Sequence, residues 1–159
     1  MDVKSFDRIL AKIIKAEPGI KKVILADRTG LTIAHVSKFS YYPVDVDGIG
    51  AIASAVFCAS EEQGKSLDIG NLQIVTSEFD DGKIFASNTG QGAGSSGVLC
   101  IITDKDVNIG MIRLVMKSAS SELDKVLAEF LGEKPPIEAE AGKDEEADLK
   151  NALGELDKI

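Results

Sequence analysis

Residues Asp45 to Leu67 read DVDGIGAIASAVFCASEEQGKSL, and the facing of this stretch decides how the other elements are arranged around it. Ile49, Ile52, Val56 and Ala59 recur at three- and four-residue steps, the spacing of one stripe on a helix. They predict a helix with that stripe turned to a domain core. The opposite stripe carries Ala51, Ser54, Ala55 and Cys58, all small and uncharged, and charge arrives only with Glu61, Glu62 and Lys65. A solvated stripe is ordinarily charged throughout. Small side chains let another surface come close to the backbone, so the helix reads as covered twice, once by its own domain and once by a partner. Burial of both stripes within one domain is the alternative reading.

Working outward, Val3, Phe6, Ile9, Leu10, Ile13 and Ile14 sit at helical spacing and are stopped by Pro18-Gly19, which predicts a first amphipathic helix. Ile20 to Ala26 and Leu31 to Val36 are strand-like runs on either side of the turn Asp27-Arg28-Thr29-Gly30. Beyond the central helix, Asn71 to Phe79 and Lys83 to Ser87 flank Asp80-Asp81-Gly82, a second hairpin. The loop TGQGAGSS then leads to Gly97 to Thr103, GVLCIIT, whose unbroken apolar run suits the buried middle of a sheet. From Ile109 to Leu131 the stripe of Ile112, Val115, Met116, Ala119, Leu123 and Leu127 predicts a long last helix with Gly132 after its end. The order implies an α+β fold with a five-stranded antiparallel sheet covered on both faces.

Composition shifts after Gly132, where Pro135-Pro136 precedes an Ala/Glu/Asp-rich stretch, so residues 1–132 read as the domain and 133–159 as an acidic tail. Of the formal net charge of −8, nine acids against four bases after Leu131 contribute −5, which leaves the body at −3. Within the tail Leu149, Leu153 and Leu156 recur at helical spacing, a segment too short to be stable alone. It reads either as a helix that docks on a surface or as a frayed tail that aids solubility.

Several functions are disfavoured. No basic cluster is interleaved with aromatics and Trp is absent, which argues against nucleic acid. No apolar run approaches the roughly 20 residues of a spanning helix and the N-terminus lacks a signal-peptide core, so no membrane insertion and a cytoplasmic location are expected. Cys58 and Cys100 are isolated and read as structural thiols. Gly64-Lys65-Ser66 imitates the end of a phosphate loop, but Ala59 stands where a Gly is needed and the tripeptide ends a helix where the cradle requires a helix start. Glycines 90, 92, 94 and 97 are followed by a strand, which lacks the anion site of a helix N-terminus. Asp104, Asp106 and Asn108 begin like a calcium loop, yet Val115 occupies the place of its last carboxylate, and local hydrogen bonds at the turn into the last helix explain the same residues. His35, the lone histidine, has no second ligand at metal-binding spacing, and nothing combines a nucleophile, a base and oxyanion donors. No catalytic residue, cofactor or metal is expected; the informative surfaces belong to binding.

GIKKVILADRTGLTIAHVS, the helix beginning at Asp45, and TDKDVNIGMIRLVMKSASSELDKVL together resemble the roadblock / dynein light chain family, and within it the MglB-type proteins, over roughly residues 5–131. The resemblance implies a profilin-like three-layer α/β/α sandwich that dimerises through the central helix and the adjacent third strand. It also implies a partner, a Ras-like, MglA-like small GTPase whose hydrolysis an MglB-type dimer activates without inserting an arginine. On that resemblance the dimer or GTPase surface is placed at Ala51, Ser54, Ala55, Cys58, Glu62, Leu72 and Ile74, with tail docking through Leu149, Leu153 and Leu156. A pure scaffold that leaves hydrolysis unchanged is the alternative. The glycine-rich loop before Gly97 is more pronounced than the resemblance leads one to expect.

Overall fold

The computed structural model describes residues 3–38, 45–89 and 97–132. In chain order these form α1 (Val3–Ala16), β1 (Ile20–Asp27), β2 (Thr32–Ser37), α2 (Val46–Ser66), β3 (Ile74–Phe79), β4 (Gly82–Thr89), β5 (Gly97–Thr103) and α3 (Ile109–Gly132). The strands make one antiparallel sheet in the order β2-β1-β5-β4-β3. The run GVLCIIT is central, as its unbroken apolarity predicts, because a strand with helices on both sheet faces needs apolar residues at every position. Contacts divide the chain into two units, 1–128 and 129–159; the described part of the second is the last turn of α3.

Period-two alternation sends the strands' side chains to two cores. Val23, Leu25, Phe85, Leu99 and Ile101 pack with Phe6, Leu10 and Ile13 of α1 and with Ile112, Met116 and Leu123 of α3. On the other face Ile24 and Cys100 meet Ala53 and Ile49 of α2, while Phe57 of α2 fills against Ala86 and Val98. Burial lifts the Cys100 thiol to a pKa of about 12, so it stays protonated and inert.

Local chemistry explains the boundaries. Asp45 caps α2, its carboxylate accepting from the Gly48 amide at 3.0 Å, and Asn108 does the same for Met111 at the start of α3 at 3.1 Å. The Asp104 side chain accepts from the Asp106 amide at 3.1 Å, the local hydrogen bonding expected at that turn. In the first hairpin turn Asp27 accepts from the Thr29 amide, the Thr29 hydroxyl and the Leu31 amide, and Gly30 adopts φ +97°, a conformation that favours glycine.

Two expectations are corrected. β3 starts at Ile74 and not at Asn71, because the left-handed residues Asp68 and Gly70 turn the chain after α2 and leave Leu72 in the connection. The stripes of α2 are rotated by about a third of a turn from the expected facing. Its buried residues are Gly50, Ala53, Ser54, Phe57 and Gly64. Ile52 and Val56, expected inside, are 65% and 42% exposed, and Ala59 is exposed with them. Ser54, expected on the outer surface, is 1% exposed. The rotation follows from shape: Phe57 is the largest side chain of the helix, and the small Gly50 and Ser54 let α2 come close to the first hairpin.

Candidate functional site

An exposed apolar surface lies where α2 passes β3. Ile52 and Val56, four residues apart on α2, stand beside Phe79, which is 60% exposed at the end of β3. Between them runs a groove of about 210 Å³, lined chiefly by Ile49, Ile52, Val56, Val75, Phe79 and Ile84. Val75, Ser77 and Phe79 reach it together because they share a parity on β3. Among the described residues β4 is the sole strand partner of β3, and no described strand pairs with its other edge. The apolar surface continues past the end of α2, where Leu67 and Ile69 are largely exposed.

The electrostatics beside this surface are organised by the first hairpin turn. Ser54 donates its hydroxyl to the carbonyl oxygens of Asp27 and Arg28, and the Arg28 guanidinium pairs with Glu61 one helical stretch further on. The hydrogen bond that Arg28 donates to Glu61 raises the Arg28 pKa against the opposing effect of burial, and the same bond holds Glu61 below the ordinary carboxylate value. Burial pushes Asp27 up, but the bonds from Thr29, Leu31 and Gly30 outweigh it and leave its carboxyl below the usual value. Arg28 is thus held against its own domain.

The residues expected at the interface are distributed unevenly. Ala51, Ala55 and Glu62 are exposed on α2, and Cys58 is half-buried. Ser54 is internal. Leu72 and Ile74 are half-buried and point to opposite sheet faces, Leu72 toward Phe57 and Ile74 toward the α1/α3 core. Ile52, Val56 and Phe79, which line the groove, were missing from the expected set; the four-residue step of Ile52 and Val56 and the parity of Val75 with Phe79 are the sequence signals that point to them. Leu149, Leu153, Leu156 and the glycines of 90–96 lie outside the described residues. Among the described residues no group of three His, Cys, Asp or Glu side chains is placed to hold a metal, His35 is exposed on β2, and no helix is long and apolar enough to cross a membrane.

Comparison with known proteins identifies the family. The sequence profile described as "mitogen-activated protein kinase kinase 1 interacting" matches residues 1–130. The chain belongs to this family. A relative within reach of direct alignment is the uncharacterized protein MJ0310 of Methanocaldococcus jannaschii, 36% identical over 124 residues, 78% of this chain and 98% of the relative. The family member's fold is shared with MglB of Myxococcus xanthus, at a TM-score of 0.71 and 20% identity over 80% of this chain and 91% of that one. The Roadblock/LC7 domain of Streptomyces avermitilis follows at 0.66 and 20% identity, over 76% and 96% of the two chains. An MglB solved in a tetrameric arrangement has a TM-score of 0.69 at 17% identity, over 79% and 89%. The profilin-like, roadblock-type fold implied by the sequence is therefore the fold of this family member.

Proposed function

We propose that the chain is a homodimeric, non-enzymatic binding module that engages a Ras-like small GTPase and favours GTP hydrolysis by positioning, within the cytoplasm. The observation that carries self-association is the groove of Ile52, Val56 and Phe79 beside the edge of β3 that no described strand pairs with. A two-fold pairing through this region brings like edge against like edge, satisfies the backbone of β3 and covers the apolar side chains in one step. Ala55, exposed next to Val56 on α2, allows the second α2 a close approach, and the tetrameric MglB of the same fold is in keeping with assembly.

The GTPase partner rests on the roadblock resemblance. The engagement of Arg28 by Glu61 argues against insertion of that arginine, because moving it outward would break the pair. Leu149, Leu153 and Leu156 supply a second, tail-borne contact to the GTPase in this reading. The deciding measurement is phosphate release by a cognate Ras-like GTPase, with and without the protein. Faster release is expected, and a chain lacking residues 137–159 should stay dimeric and respond differently; no acceleration and no complex on size exclusion would refute the reading. The family description, an interaction with a protein kinase kinase, favours a second reading as a scaffold. Binding with an unchanged hydrolysis rate is its signature.

A further inference from the structure

We propose that the groove between α1 and α3 receives the chain's own acidic segment 144–157 as an amphipathic helix, with Leu149, Leu153 and Leu156 turned into it. The groove has a volume of about 330 Å³ and is lined chiefly by Ile9, Ile13 and Ala16 of α1 and by Leu114, Val115 and Ala119 of α3. None of its lining residues belongs to α2 or β3, so it is separate from the groove of Ile52, Val56 and Phe79.

Apolar exposure marks this surface. Leu114 is 64% exposed, on the side of α3 opposite the buried stripe of Ile112, Met116 and Leu123, and Met111 one turn before it is 42% exposed. A leucine placed there adds nothing to the domain core. A helix lying along the groove would cover it together with the edges of Ile13 and Val115, and the small Ala16, Ser118 and Ala119 leave room for that helix to come close.

Charge and sequence pattern select the occupant. α1 carries Lys4, Arg8, Lys12 and Lys15 against Asp7 alone, within a body of net charge −3. Lys12 lines the groove, and the exposed Arg8 and Lys15 stand one turn to either side of it. Of these three, among the described residues, only Lys12 takes part in an ion pair, with Glu122 of α3 at 3.1 Å. Residues 144–157 are the complement: six acids and one base surround the three leucines, and Glu145 and Glu146 precede Leu149 by one helical turn.

The chain is long enough for the contact. Gly132 ends α3 about 27 Å from Leu114, at 1.5 Å for each residue between them. Residues 133–148 precede Leu149, and a coil of that length spans on the order of 20 Å or more. A tether whose span matches its sites gives the highest effective concentration, which offsets the weakness of a short helix alone. The three leucines assigned above to the GTPase would then be withheld until it displaces them from the groove. That consequence rests on the functional reading, whereas the docking itself is measured with this chain alone.

The test is the amide spectrum of the isotopically labelled full chain without a GTPase. Leu153→Asp should shift amides of residues 9–16 and 111–119, and Leu114→Glu should shift those of residues 145–157. Leu114 is largely exposed, so its substitution leaves the fold intact. Both sets of shifts should be unchanged by about tenfold dilution, because the contact is intramolecular. Shifts confined to the neighbourhood of each substitution, or shifts from Leu153→Asp centred on Ile52, Val56 and Phe79, would overturn the proposal. Shifts that fade on dilution would overturn it too, by giving the groove to another copy.

Discussion

Ser54 shares its single hydroxyl proton between the carbonyl oxygens of Asp27 at 3.1 Å and Arg28 at 3.0 Å, tying the middle of α2 to the first hairpin turn. Helix and turn are separate in sequence and both are bent to this contact: Gly50 gives α2 its close approach to Thr32, where a Cβ would stand 2.9 Å from the threonine hydroxyl oxygen. Replacement of Ser54 by Ala should destabilise the fold by about 1 to 2 kcal/mol through the lost bond and the carbonyl left without a partner. Urea unfolding at one protein concentration measures it. Sedimentation of Ser54→Ala should match that of the parent, since the side chain is internal.

Ile52→Arg should have the reverse profile. The side chain is largely exposed, so the monomer's stability changes by less than about 0.5 kcal/mol, while a long charged group enters the apolar groove. Sedimentation velocity should record a dimer for the parent and a monomer for the variant. A parent that sediments as a monomer, or a variant that still dimerises, removes the α2 surface from the assembly.

Acid should loosen the first hairpin turn. The folded pKa of Asp27 lies below the ordinary 3.8, and that of Glu61 below the ordinary 4.5. A depressed carboxylate stabilises the fold fully above its ordinary value and loses that contribution as pH falls through the folded value. The stability lost between pH 7 and pH 3 should therefore be smaller in Asp27→Asn and in Glu61→Gln than in the parent. Equal losses in all three would show that neither group carries the linkage.

Thiol labelling should separate the two cysteines. Cys100 is buried with its pKa near 12, so the native protein should react only through half-buried Cys58, and both should react once unfolded. Labelling rates at rising protein concentration add a check on the assembly, since a dimer formed along α2 slows reaction at Cys58.

Much of the fold was legible because its signals are local. The Asp27 to Gly30 turn and the unbroken apolarity of β5 each specify a conformation within a few residues. The facing of α2 was not legible. Ile49, Ile52 and Val56 form one apolar stripe and Gly50, Ala53 and Phe57 another, so periodicity declares a helix without saying which side is inward. The deciding partners, the carbonyls of the turn and Ala86 and Val98 of the sheet, are remote in sequence.

The central place of β5 also governs how the chain can fold as it is made. β1 emerges early, but its second neighbour is the last strand, with Ile20 opposite Thr103 and Leu25 opposite Leu99. Until that strand leaves the ribosome, β1 with β2 and β3 with β4 can exist only as two separate hairpins, each marginal alone. Arrival of β5 joins both, so a nascent chain stalled before residue 97 should remain protease-sensitive and one extended past α3 should be protected. Translation of the final third of the body thus decides when this protein acquires a core.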